Sequence, residues 1–211
     1  MTAHDAPVTI VAGLGRSGTG LLARVMDSGG ASVCGDPPSY EDDTLVHQGG
    51  EPDWQSLRGD TVVIIDPLYY SGLLPEEVAV KWIWTRGSLT AQAKGILKHQ
   101  GLRRRERDVE PLSDHLCLRG WDTWSMIEKR GESVLKVDVS DLMNHTQSIC
   151  RSISRFVEWE GSDPDIESMV DEAHSSSGSG GSPGEMHRAA LERRVQGAKD
   201  LLQLQRELQS T

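Results

Sequence analysis

The chain has 211 residues, enough for one domain with a full hydrophobic core, and carries 32 acidic against 22 basic side chains for a formal net charge of -10. That excess of negative charge argues against a nucleic-acid scaffold and against a membrane-surface binder, since both need a basic face. Any anionic ligand must therefore be held by local geometry.

In chain order, the first element is the apolar run VTIVAG (8–13), which predicts a strand. A glycine-rich turn, GLGRSGTG (13–20), follows, and then an amphipathic helix over 18–28. The run TVVIIDP (61–67) predicts a second strand with a helix around 68–74, and VAVKWIWT (78–85) a third strand with a helix over 88–100. The basic cluster GLRRRERD (101–108) reads as a solvated loop, before a helix over 114–130. SVLKVDV (133–139) is a fourth strand, followed by one helix over 141–157 with Ser140 or Asp141 as its N-cap. Strands that are continuously apolar rather than alternating are buried on both faces, so the expected fold is a three-layer α/β/α domain around a mostly parallel sheet. This domain is expected over 1–173.

The stretch SSSGSGGSPGE (175–185) cannot bury surface to offset its ordering entropy, so 174–185 reads as a flexible loop or linker. Beyond it, residues 186–211 place Leu191, Val195, Ala198, Leu201, Leu202 and Leu208 on one stripe of a C-terminal helix. Docking on its own domain is the expected use of that stripe, and a homodimer through the helix is the alternative. The three cysteines, Cys34, Cys117 and Cys150, have no CxxC or Cys/His spacing and are expected as buried thiols, with no metal site. There is no run of about 18 apolar residues and no secretion-signal pattern in MTAHDAP, so cytoplasmic location is expected.

The turn fits two templates. Gly13, Gly15 and Gly18 spell GxGxxG between strand and helix, with Asp36 about twenty residues on, as in dinucleotide-binding folds. Gly13 and Gly18 also have the outer GxxxxG spacing of a phosphate loop, whose backbone N–H groups and helix N-terminus cradle an anion. A nucleotide triphosphatase needs Lys and then Ser or Thr after that second glycine, but Thr19 and Gly20 stand there. ATP or GTP hydrolysis is therefore disfavoured. What remains is a loop whose cation, Arg16, lies inside it beside Ser17 and Thr19, which suits an anion bound without metal.

At these residues the sequence resembles the sulfotransferases that use 3′-phosphoadenosine 5′-phosphosulfate (PAPS), whose 5′-phosphosulfate loop reads as a basic residue followed by Ser-Gly-Thr. Here that is Arg16-Ser17-Gly18-Thr19, with Gly15 in place of the usual proline and Gly20 in place of a frequent second hydroxyl. GGASVCGDPPSYEDD (29–43) is similar to the segment that presents an acid to the acceptor in bacterial and tyrosylprotein-type relatives. The stretch 64–95 resembles the Asp-Pro strand end, helix, strand and terminal arginine that form the 3′-phosphate site, and 134–157 resembles the family's strand, Asp-Leu turn and helix. Where the family often has a serine eight residues after that arginine, this chain has Lys94; where a lysine often precedes the Asp-Pro pair, it has Ile65.

The resemblance implies sulfuryl transfer from PAPS, without metal, to a hydroxyl or amine of a small molecule, glycan or peptide. Gly15, Arg16, Ser17, Gly18, Thr19 and Gly20 would hold the phosphosulfate, with Arg16 stabilising the sulfuryl oxygens. Arg86, helped by Ser88, and Lys94 would hold the 3′-phosphate. Asp36 or Glu41 is expected to take the acceptor proton, and His47 is a further candidate. Two other readings stand beside this one: a dinucleotide- or UDP-binding module, since GLGRSG with GGASVCGD also resembles the first unit of the muramyl ligases that add D-glutamate, and a sulfotransferase-like nucleotide-binding protein without turnover. The muramyl-ligase likeness stops there, because the segments after residue 60 do not follow that family.

Overall fold

Val, Ile and Trp runs make strands because β-branched and aromatic side chains fit a pleated surface covered on both sides. The computed structural model describes residues 6–36, 40, 53–68, 72, 76, 78–99, 106–130, 132–157 and 165–175. The chain divides into two compact units, Met1–Ser179 and Gly180–Thr211, and every described residue lies in the first. Among the described residues β1 (Val8–Gly13), β2 (Thr61–Ile65), β3 (Val80–Arg86) and β4 (Ser133–Asp138) form one parallel sheet in the order β2-β1-β3-β4. The register sets Gly13 between Ile65 and Thr85, and Arg86 opposite Asp138.

Outside β2 the chain adds a rudimentary strand. Val33 bridges Thr61 in parallel, with the Thr61 N–H donating to the Ser32 carbonyl (2.7 Å) and the Cys34 N–H to the Thr61 carbonyl (2.8 Å). After the first helix the chain therefore passes to the flank of the sheet before returning to lie beside β1.

Residues on β1 alternate between two cores, as the period of two requires. Val11, with Val63, Ile83 and Val137, packs under α1 (Thr19–Ser28), α4 (Val139–Asn144), α5 (Thr146–Val157) and α6 (Ile166–Ser175), burying Leu22, Met26, Leu142, Ile153 and Met169. Ile10 and Ala12, with Trp82 and Trp84, face α2 (Leu89–His99) and α3 (Val109–Arg130), burying Ala93, Leu116 and Ile127. The expected three-layer α/β/α architecture is the one observed. β4 is less covered than the other strands, and Lys136 lies over the Trp124 ring, 3.7 Å from its centre. Trp121 is 70% exposed.

Several local expectations are corrected. The helix over 141–157 is two helices broken at His145, and the N-cap is neither Ser140 nor Asp141 but Asp138, whose carboxylate accepts from the Ser140 N–H (2.9 Å) and hydroxyl (2.6 Å). Helix α3 starts at Val109, after a 3-10 turn over Glu106–Asp108, rather than at 114. Pro111 does not prevent this, because N–H groups of a first helical turn have no intrahelical acceptor. α6 has no counterpart among the expected helices and runs to Ser175, past the expected end of the core at 173. It is started by Asp165, whose carboxylate accepts from the Ser168 N–H (2.9 Å) and hydroxyl (2.7 Å). Cys150 is buried as expected, Cys34 is half-buried and Cys117 is exposed.

Most of the helix expected around 68–74, residues 101–105 of the basic cluster, the linker from Ser176 onward and the helix over 186–211 lie outside the described residues. Among the described residues no helix is long and apolar enough to cross a membrane.

Leu22→Ala, at a fully buried position under the sheet, is expected to lower unfolding free energy by about 2–5 kcal/mol. Leu118→Ala, at a position 58% exposed, should change it by less than about 0.5 kcal/mol, both read by urea denaturation.

Candidate functional site

The carboxyl ends of the strands converge on the loop that leaves β1. Because β2 lies on one side of β1 and β3 on the other, connections diverge here, and open α/β sheets bind ligands in the crevice at such a point. The loop turns through a Ser17 N–H bond to the Leu14 carbonyl (3.0 Å), and Arg16 (φ 64°) and Gly18 (φ 94°) take left-handed backbone conformations. For arginine that conformation costs on the order of 1–2 kcal/mol and must be held by its surroundings.

Those surroundings are hydroxyls in a space left by a missing side chain. Thr85 Oγ1 donates its one proton to the Ala12 carbonyl (3.1 Å), so Ser17 Oγ must be the donor in its 2.8 Å bond to Thr85 Oγ1. Both side chains are buried, and a Cβ on Gly13 would collide with both oxygens. A Cβ on Gly18 would likewise strike the side chain of Val139, at the junction of β4 and α4. The loop is thus stitched to β1 and β3 and backed by α4.

The stitching changes the part that each loop residue can play. The Ser17 proton is committed to Thr85, and Thr19 is 3% exposed with its Cγ2 methyl toward Gly13. The donors offered outward are the backbone N–H groups at the start of α1. Gly18 caps that helix without a side-chain hydrogen bond, and its first turn holds no acid, so the positive end of the helix dipole is uncompensated.

Arg16 is exposed, with its Cβ, Cγ and Nε about 3.5 Å from where a Cβ of Gly95 on α2 would stand. Gly15 faces Ile96 of the same helix, while Gly120 of α3 faces Leu14. Lys94, also exposed, precedes Gly95. Arg86 ends β3, exposed, and Gly87 after it stands against the Ser17 carbonyl. Ser88 accepts from the Ala91 N–H (3.3 Å), and Gln92 Nε2 donates to the Gly87 carbonyl (3.0 Å). The structure thereby gathers the loop, Arg86, Ser88 and the helix carrying Lys94 at one edge of the sheet. Asp138 lies there too: hydrogen bonds from the Ser140 hydroxyl and N–H, and then the nearby Arg86 charge, hold its carboxyl below the usual range.

Of the acids expected as bases, Asp36 is the one among the described residues. Asp36 is exposed, its carbonyl accepting from the Tyr40 N–H (3.0 Å), and it follows the Val33 bridge, so β2 separates its segment from β1. Glu41 and His47 lie outside the described residues.

Three neighbours of the loop escaped sequence reasoning as site residues. Asp66 donates its N–H to the Gly13 carbonyl (2.8 Å), has φ 56°, and accepts from Arg119 Nε at 3.1 Å through both carboxylate oxygens. Arg119 precedes Gly120 on α3, and His115 lies one turn earlier; burial and then the Arg119 charge lower the His115 pKa, with Asp66 opposing. The Asp-Pro strand end is a visible signal for Asp66, but nothing in the spacing marks Arg119 or His115. Among the described residues no group of three His, Cys, Asp or Glu side chains is placed to hold a metal ion. No protein-family model matches the chain, and no curated protein matches it.

Gly13→Ala is expected to destabilise the fold by about 1–3 kcal/mol through overpacking against Ser17 and Thr85, measured by urea denaturation. Because the Asp138 pKa is depressed, the stability it contributes is present above its ordinary value near 3.8 and is lost as pH falls through the lower folded-state value. In urea titrations between about pH 5 and pH 2, wild type should therefore lose stability more steeply than Asp138→Asn, which keeps an N-capping side chain.

Proposed function

We propose that the protein is a sulfotransferase that moves a sulfuryl group from PAPS to a hydroxyl or amine of a small molecule, glycan or peptide by in-line displacement. The observation that carries this reading is the pairing of two exposed cations at the carboxyl ends of neighbouring strands: Arg16 in the loop that leaves β1, beside the start of α1, whose Gly18 cap has no side-chain hydrogen bond, and Arg86 at the end of β3. A ligand with one anion at each end fits that arrangement. The residues present suit PAPS, since α1 offers N–H donors to the 5′-phosphosulfate, Arg16 adds a charge-assisted contact to the sulfuryl oxygens, and Arg86 and Lys94 supply charge for the 3′-phosphate. PAPS brings the sulfuryl group and a stable bisphosphate leaving group.

The chain's own work is positioning and charge. Thr19 and Gly20 leave no lysine-hydroxyl pair for a magnesium triphosphate, and the buried Ser17 and Thr85 hydroxyls hold the donor loop rigid so that its N–H groups are preorganised. In-line attack needs a base on the acceptor side. Asp36 and Glu41 remain the candidates, on the segment that follows the first helix.

The dinucleotide reading draws less support. An acid that reads a ribose belongs at the end of the strand beside β1, but that strand is β2, ending at Asp66, whose carboxylate is engaged by Arg119. Asp36 stands one strand further out.

Thermal-shift titration is expected to show adenosine 3′,5′-bisphosphate raising Tm without metal, by the equivalent of about 2.7 kcal/mol at a hundredfold excess over Kd. AMP, ATP with magnesium, NAD and a UDP-sugar should do less; a larger rise with NAD or the UDP-sugar overturns the reading. Arg16→Ala and Arg86→Ala should each weaken bisphosphate binding about tenfold, or about 1.4 kcal/mol. Asp36→Asn or Glu41→Gln should abolish turnover with binding retained; bisphosphate binding with no turnover in the presence of any acceptor would favour a non-catalytic binding protein.

A further inference from the structure

Gln92 is a polar side chain near the loop that the proposed chemistry does not use. It is 4% exposed in the first turns of α2, and its Nε2 donates to the Gly87 carbonyl (3.0 Å) while its Oε1 is enclosed with no hydrogen-bond partner. A buried amide oxygen without a donor is costly. Turning the amide over would not relieve the cost, because it would set oxygen against the Gly87 carbonyl and lose the one bond present. A leucine would remove the enclosed Oε1 but leave the Gly87 carbonyl without this donor. The bond to Gly87 is what the glutamine supplies.

That bond joins the two halves of the site. Gln92, Gly95 and Ile96 stand at i, i+3 and i+4 on one face of α2, and the latter two carry the contacts to Arg16 and Gly15. One turn toward the start of the helix, Gln92 holds the carbonyl of Gly87, the residue between Arg86 and Ser88, and Gly87 stands against the Ser17 carbonyl. The Gln92 backbone N–H also donates to the Ser88 carbonyl (2.9 Å), closing the same turn from the main chain.

Resting on the sulfotransferase reading, we propose that Gln92 is a positioning residue that fixes the Arg86–Ser88 turn against the glycine-rich loop and so sets the spacing between the cation of the 3′-phosphate and the cradle of the 5′-phosphosulfate. It touches no ligand; it acts through Gly87.

Two probes separate this role from support of the fold: adenosine 3′,5′-bisphosphate, which spans both ends, and 5′-AMP, which engages the loop alone. In Gln92→Leu, titrated by calorimetry, bisphosphate affinity is expected to fall about tenfold while AMP affinity stays within about twofold and Tm changes little, since one unpaired acceptor is exchanged for another. In the Arg86→Ala background the same substitution should have little further effect, because the group it positions is absent. Should the leucine variant fail to fold, Gln92→Met carries the same test. Equal loss of both ligands, or full additivity with Arg86→Ala, overturns the inference and leaves Gln92 as scaffold, as does unchanged bisphosphate affinity. A wild-type protein that does not prefer the bisphosphate over AMP overturns the sulfotransferase reading, and this inference with it.

Discussion

The buried hydroxyl bond between Ser17 and Thr85 is the constraint on which the edge of this sheet depends. It lies in the volume that Gly13 leaves by having no side chain, and it ties a loop with two left-handed residues to a strand that arrives sixty-eight positions later. Polar groups buried this deeply must be paired, and here the Ala12 carbonyl is the acceptor that ends the chain. The pairing orders the hydroxyls, and the order decides which donors face outward. They are the backbone N–H groups of α1, which rigid strands on either side hold in place.

Two further strained or polar junctions meet the same loop. Asp66 turns out of β2 with φ 56° and gives its N–H to the Gly13 carbonyl, and Arg119 secures its carboxylate from α3. Gln92 secures Gly87 from α2. Backbone strain persists only where neighbours over-determine it, and both helices on this face of the sheet supply such a neighbour. In the proposed function these junctions hold an anion site on a chain whose net charge is -10. Its attraction is local, made from a helix end and exposed arginines, and owes nothing to the overall field.

Burial and turn chemistry explain what could be read in advance. VTIVAG, TVVIIDP and VAVKWIWT each hide apolar residues on two faces, so their strand character and the layered fold were visible in the run itself. The glycines at 13 and 18 likewise announced a tight turn, where Gly18 takes a left-handed backbone and Gly13 leaves the room a Cβ would fill. By contrast, Asp165 as the start of α6 and Asp138 as the cap of α4 were missed. One aspartate among many looks like any other until the N–H it accepts from is known.

The sequence by itself determined the four strands, the three layers and the position of the loop, because hydrophobic period and glycine placement act over a few residues. Only the tertiary structure decided which strand lies beside β1, that Val33 is parked outside β2 with Asp36 beyond it, and that Thr85, Asp66, Arg119 and Gln92 close around the loop. Those partners are separated by tens of residues along the chain. Their meeting follows from sheet order and helix packing, which no local pattern encodes.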